Sequence, residues 1–402
     1  MIEKDPIVVT GIGTVTPFGF DVNQFWDMLL HDKSDEVELQ KIGEQKAWML
    51  GDEWDPKEIL GQRGLRYMIP GTKYLLGATK SALAHAKLLD SMPDPTEVGI
   101  VVGCNFTAMN SAMDYDLITV SKGPRYVSPM QAPNALMNSP ASQLGIKIGA
   151  KACNTTISTG QNAGLDALGY GMNLIKKNRA NYVIVGGVEH LDEHIIWLYE
   201  KTGLFPSKYS DQQGRPFSPD SRGIIASEGA GAVILERKSN ALARGAVIWG
   251  EIEGWENRFS INRKKDHRAQ TFKKTISKLL NKGSLSTEEV HFIVSGANGC
   301  KEFDLVEEVV LEEMFGHEQI PVYPVKQKIG ESFGAGGVLQ FITALGIMAK
   351  QKIPEGINVK ELQTQSAFGL RVNNNSREMM NRALLTSQNY SGELSVVLVR
   401  NV

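Results

Sequence analysis

The sequence predicts an α/β protein, and three observations carry that prediction. Short apolar runs alternate with helical patterns along the chain. Most of those runs are apolar at successive positions rather than at every second one, as in strands covered on both faces. The same rhythm recurs in the second half, without a sharp repeat. The chain has 402 residues, long enough for about two to three domains or one duplicated unit.

The elements follow in order. Pro6 to Thr10 reads as a strand running into a Gly11-Ile12-Gly13 turn. Thr72 to Leu89 reads as a helix, with Leu75, Ala78, Ala82, Ala86 and Leu89 stepping by three or four. Val98 to Val102 is a second strand, ending at Gly103; Asn181 to Val185 is a third, ending at Gly186-Gly187; Gly231 to Glu236 is a fourth. The stretch from Lys201 to Arg222 is polar and rich in Ser, Pro, Gly and Gln, the composition of a long functional loop. Leu242 to Ala246 links one strand–helix unit to a fresh strand, so a boundary falls near residue 245. Val247 to Ile252 and Val290 to Val294 then read as strands, Gly337 to Lys350 as a helix, and Glu393 to Val399 as a closing strand.

Composition narrows the function. Lys and Arg number 43 against 45 Asp and Glu, a net charge of −2, so no overall basic surface for nucleic acid or an anionic membrane is indicated. Three cysteines, Cys104, Cys153 and Cys300, make neither a disulfide framework nor a CxxC metal pair, which fits a reducing, cytoplasmic compartment. The first residues carry acids where a secretory leader is basic, and no run of about 18 apolar residues predicts a transmembrane helix. His190 and His194 have metal-ligand spacing but no evident third ligand, and no metal is expected. Glycine is abundant, 40 residues concentrated at strand ends and tight turns, as close backbone approach around a buried site requires.

The most informative stretch is Thr155-Thr-Ile-Ser-Thr-Gly160-Gln161-Asn-Ala-Gly164-Leu-Asp-Ala-Leu-Gly169. A polar run leads into a helix of small residues, Ala163, Gly164, Ala167, Gly169 and Gly171. Each helical glycine costs roughly 1 kcal/mol relative to alanine, so three imply close packing against another backbone, and such a helix also suits a close partner surface. Gln161 falls at the helix start, where free N–H groups would activate a thiol. An amide gains no reactivity there, but its NH₂ can donate hydrogen bonds.

This stretch resembles the nucleophile elbow of β-ketoacyl synthases, in which Ser-Thr-Gly-Cys-x-x-Gly-Leu-Asp places the acylated cysteine at the helix start. Val8 to Gly19, Val185 to Glu189, Arg215 to Phe217 and Arg222 to Glu236 resemble the family's further segments in the same order, nearly the whole chain. The resemblance implies a thiolase-like fold, two similar α/β halves in an αβαβα sandwich. The halves would span residues 1–245, carrying the vestigial elbow, and 246–402. Gln161 in the cysteine position is similar to chain-length factors, the β-subunits of type II polyketide ketosynthase heterodimers.

The resemblance also locates the other catalytic positions. Active members carry two histidines that bind the extender thioester. The first belongs after Phe292-Ile-Val-Ser295, where Gly296 fills the slot and Asn298 is the nearest polar residue. The second belongs to Lys-x-x-x-Gly-His, which here reads Lys326-Gln-Lys-Ile-Gly330-Glu331. None of the seven histidines, His317 included, occupies either slot. Tyr390 replaces a phenylalanine of the closing turn, and Glu307 is expected to pair with Lys326. Phe106, Met109 and Met113 match the segment that lines the tunnel end in chain-length factors.

The implied function is a chain-length factor that pairs with a catalytic ketosynthase and shapes the tunnel for a poly-β-ketone. An acyl carrier protein would deliver the chain, docking mainly on the ketosynthase. No cofactor is implied, because CO₂ loss drives the condensation. Three alternatives stand: a Gln-type decarboxylating loading subunit, a scaffold for the partner, and an autonomous condensing enzyme with a displaced nucleophile.

Overall fold

The computed structural model describes residues 5–31, 33–316, 320–354 and 379–402. His317 and the first four residues of the leader reading lie outside them. In chain order the strands are β1 (Ile7–Val15), β2 (Gln40–Ile42), β3 (Gln45–Trp48), β4 (Val98–Cys104), β5 (Asn154–Ile157), β6 (Tyr182–Glu189), β7 (Ala226–Ser227), β8 (Gly229–Arg237), β9 (Gly250–Phe259), β10 (Phe292–Val294), β11 (Val322–Tyr323), β12 (Arg382–Gln388) and β13 (Glu393–Arg400). The helices are α1 (Val22–Leu30), α2 (Pro56–Leu60), α3 (Pro70–His85), α4 (Met109–Lys122), α5 (Ser139–Ile148), α6 (Ala163–Lys176), α7 (Glu193–Lys201), α8 (Lys238–Ala243), α9 (Lys265–Gly283), α10 (Lys301–Phe315), α11 (Lys326–Ile329) and α12 (Phe333–Lys350).

The main sheet repeats one pattern twice. Its order is β5-β4-β6-β8-β1 followed by β9-β13-β12-β10-β11. In each group three neighbouring strands pair parallel, β5-β4-β6 and β11-β10-β12. The remaining pairings, in β6-β8-β1 and β12-β13-β9, are antiparallel, so one strand of each group, β8 or β13, runs against the other four. The groups meet where β1 pairs antiparallel with β9, at Val8 with Glu251 and Val9 with Gly250. Helices α3 and α5 cover the first group, and α9 covers the second with α10 packed on it. Helices α6 and α12 contact strands of both groups and each other. The layers are therefore α, β, α, β, α, the thiolase-like arrangement.

The central layer explains the small residues. A Cβ on Gly164 would lie 2.6 Å from the backbone N of Val338, and one on Gly337 would collide with the backbone of Leu165. The two helices cross backbone to backbone at this pair. Gly169 is filled by the Trp255 indole and Gly171 by Val185, so α6 is an internal helix rather than the partner surface that its composition suggested. Gly11 and Gly13 also differ from expectation. They do not turn: β1 continues through them with a bulge, because the carbonyls of Ala82 and Ala78 on α3 occupy the space of their missing side chains. Likewise β6 runs through Gly186 and Gly187, and β9 extends to Phe259. Helix α12 is long and apolar enough by composition to cross a membrane, yet Phe333 to Met348 are all buried in the fold. The segment from Gly203 to Ile225 holds neither helix nor strand, as its composition predicted.

Candidate functional site

The site is assembled where α6 and α12 begin. A single 3₁₀ turn, Gly160–Asn162, delivers Gln161 to the start of α6. Gly160 takes a φ of 60°, a left-handed conformation that glycine adopts without strain. The turn is pinned from the closing turn of the second half. Asn389 donates through Nδ2 to the Thr159 carbonyl at 2.9 Å, and Ser387 donates through Oγ to the Gln161 carbonyl at 3.2 Å. Thr159 donates to Asp166 at 2.6 Å, and Trp255 donates to the same carboxylate at 3.2 Å.

Gln161 is fully buried, and neither Nε2 nor Oε1 has a protein partner. Asn162 is in the same state, with both amide atoms unpartnered. Buried polar groups are nearly always satisfied, so two adjacent uncommitted amides mark a place where a further hydrogen-bonding group belongs. Asn162 is a residue that reading the motif missed. Its signal was available: a second primary amide directly beside the replaced nucleophile.

Lys326, Glu331 and Asn298, named above from the resemblance, form a buried polar network. Glu331 accepts through Oε2 from Lys326 Nζ and from Asn298 Nδ2, both at 2.7 Å. Its Oε1 accepts from the Phe333 backbone at 2.9 Å. All three side chains of the network are buried. Asn298 presents its side-chain amide to Glu331, while Gly296 packs against the Thr386 and Ser387 backbone. The expected pairing of Glu307 with Lys326 is not made. Lys326 pairs with the nearer carboxylate of Glu331 five residues on, and Glu307 accepts from the hydroxyls of Ser295 and Thr386, both at 2.6 Å. Burial raises the Glu307 carboxyl above its usual range, and the two hydroxyls and the Lys326 charge oppose that shift.

The walls were harder to read. Phe106, Met109, Tyr390 and Cys300 pack on one apolar cluster with Phe333 and Tyr199. The Phe333 and Tyr199 rings stack at 3.9 Å and 4°. Phe333 holds a φ of 39°, rare for a bulky residue, and the Glu331 bond to its N–H fixes it there. Glu189, buried beneath this wall, accepts from the backbone of Phe106 and Gly334 and from Thr107; desolvation pushes its carboxyl up to about 8. Met113 lies outside the cluster, 38% exposed on the outer side of α4.

The arrangement has donors but no nucleophile. A carboxylate such as Glu331 only accepts, and its oxygens are already occupied, so it offers a substrate carbonyl nothing. None of the three cysteines lies at the start of α6: Cys104 ends β4, Cys153 precedes β5 and Cys300 precedes α10. Burial pushes the Cys104 and Cys300 thiols up to about 12, which keeps both protonated at neutral pH. His190 precedes α7 rather than sharing its face with His194; it bonds Glu228 at 2.8 Å, and His194 bonds Asn110 at 3.1 Å. Among the described residues no cluster of His, Cys, Asp and Glu is arranged to hold a metal.

Residues 4–241 match the profile of the β-ketoacyl synthase N-terminal domain, and residues 250–360 match that of the C-terminal domain. The chain belongs to the β-ketoacyl synthase family. It is 26% identical over 372 residues to the 3-oxoacyl-[acyl-carrier-protein] synthase 2 of Synechocystis sp., covering 89% of each chain. It is 25% identical to the Staphylococcus aureus synthase of the same name, covering 88% of each. Its fold superposes on the ishigamide ketosynthase/chain length factor with a TM-score of 0.84 at 21% identity, over 100% of both chains. A Burkholderia phymatum β-ketoacyl synthase gives 0.85 at 19% identity, covering 99% of this chain and 100% of that one. This β-ketoacyl synthase-family chain thus keeps the family's scaffold while its elbow carries an amide.

Proposed function

We propose that this chain is a non-condensing chain-length factor that pairs with an active ketosynthase of the same fold. The observation that carries the reading is Gln161 at the elbow, backed by a Lys326–Glu331–Asn298 network where imidazoles would be required. Condensation needs a covalent acyl carrier and a neutral donor to the enolate, and this site supplies no covalent carrier. The scaffold then serves the partner's chemistry. Strand β5 is an edge strand, open for pairing. Earlier in the chain, α4 and the loop after it expose Leu117 at 67%, Val120 at 86%, Met130 at 62% and Leu136 at 57%. An apolar face of this extent is the mark of an interaction surface. Phe106 and Met109 pack on the cluster of Phe333, the first residue of α12, and on this reading they end a tunnel running in from the partner. The chain-length limit is steric: elongation stops when the cavity is full.

The test is reconstitution with the candidate ketosynthase and a malonyl-loaded acyl carrier protein, followed by product mass. Phe106→Ala or Met109→Ala should lengthen the product, whereas Met113→Ala, outside the cluster, should not. An unchanged product length in the first two would reject the wall assignment, and failure to form any complex would reject the pairing.

One observation favours an added role. The unpartnered Gln161 amide can donate to a malonyl thioester carbonyl and favour decarboxylation during priming. Gln161→Ala should then slow priming while leaving complex formation intact; an unaffected priming rate removes the role.

A further inference from the structure

We propose that the cleft between α2, α3 and α5 is a binding site for a linear acyl chain carrying an anionic head, separate from the Gln161 site. The inference does not rest on the function proposed above. The cleft encloses about 350 Å³. Its floor is Leu76, Leu83 and Leu144, all buried side chains of the outer helices. At its mouth Leu89 and Met92 stay 40% and 36% exposed, apolar groups that nothing among the described residues covers.

Size and shape choose the class of ligand. Pockets for small molecules start at roughly 300 Å³ and are mostly apolar with a few polar groups that fix orientation. A methylene occupies nearly the volume of a water, about 30 Å³, so this space holds a chain of roughly ten to twelve carbons. It does not admit a helix, whose cross-section is about 10–12 Å.

The polar groups choose the head. Lys80 and Lys147 line the cleft, both exposed, and no acidic residue lines it. Lys80 spends one donor on the Ile59 carbonyl and keeps two more. Lys147 has no partner among the described residues. Two cations over an apolar trough complement a carboxylate at the end of an alkyl chain. The sheet keeps this cleft apart from the Gln161 site: Gly186 of β6 faces Leu75 of α3, while its neighbour Gly187 faces Gly334 and Val338 of α12.

The experiment is calorimetric titration of the full chain with dodecanoate below its micelle concentration, with dodecyltrimethylammonium as the control of opposite charge. One saturable site is expected for the carboxylate, with binding of the ammonium weaker by about tenfold or more. The double variant Lys80→Glu/Lys147→Glu should weaken dodecanoate by about tenfold with an unchanged melting temperature. A dodecanoate bearing a terminal diazirine should label peptides from residues 56–60, 79–92 or 141–148. The proposal falls if no saturable binding appears, if both head groups bind alike, if the variant binds as the parent does, or if the label maps to residues around Gln161. An amphipathic peptide that displaces dodecanoate and binds more tightly would reassign the cleft to protein docking and overturn it as well.

Discussion

Lys326 and Glu331 form an ion pair removed from water, and such pairs are costly to break from one side. Replacing one partner leaves an uncompensated buried charge, worth about 3–5 kcal/mol, whereas replacing both by apolar residues is often nearly neutral. Lys326→Met should therefore destabilise the chain strongly, and Lys326→Met/Glu331→Leu should recover most of the loss. Urea denaturation of the two variants checks it, and equal losses would show that the pair contributes little. Two other acids predict a pH dependence. Desolvation raises Glu189 from 4.5 to about 8 and Asp304 from 3.8 to about 7. The folded chain then holds protons that the unfolded chain releases, so their contribution is complete below about pH 4 and is lost as pH rises through about 7 and 8. The slope is up to about 1.4 kcal/mol per pH unit for each group. Glu189→Gln should flatten the fall in melting temperature between pH 5 and pH 8.5 (about the window set by these shifts); an unchanged slope would mean that Glu189 is ionised throughout. The motif around Gln161 was readable from the chain. Its neighbour network was not, because Asn298 and Glu331 are 33 positions apart and meet only through two separate turns.

The crossing of α6 and α12 is the joint on which the site depends, since both helices start at it. Gly337→Ala would place a methyl against the Leu165 and Gly164 backbones, which have no side-chain freedom to yield. Overpacking of this kind costs about 1–3 kcal/mol, against a helix-propensity gain of at most about 1 kcal/mol. A lower urea midpoint is expected; an unchanged one would mean that the helices separate freely. The glycines of α6 announced close packing in the sequence, but not their partner. The partner, Gly337, lies in an apolar helix whose composition reads equally well as a buried core helix. Conversely, Gly11 and Gly13 read as a turn because glycine marks both turns and close approaches. Only the position of α3 distinguishes the two.

Among the described residues, α4 carries large apolar side chains that the fold leaves exposed. Leu117 and Val120 make little contact within the chain, so Leu117→Asp/Val120→Asp should leave the isolated chain's stability within about 0.5 kcal/mol. Under the pairing proposed above, the same variant should abolish the complex with the ketosynthase, because two unpaired carboxylates would then be buried in an apolar interface. Urea denaturation reads the first result and size-exclusion chromatography with light scattering the second. Complex formation by the variant at parent affinity would place the interface elsewhere.

Local patterns legible along the chain were strand and helix identity, the order of the family's segments and the amide at position 161. Each of these is written in neighbouring residues, where periodicity and turn chemistry act over a few positions. The pairing of Lys326 with Glu331 in preference to Glu307, the doubled amide at Gln161 and Asn162 left without partners, and the outward face of Met113 came from packing. Those features depend on which distant segments exclude water from one another, and no short stretch of chain carries that information.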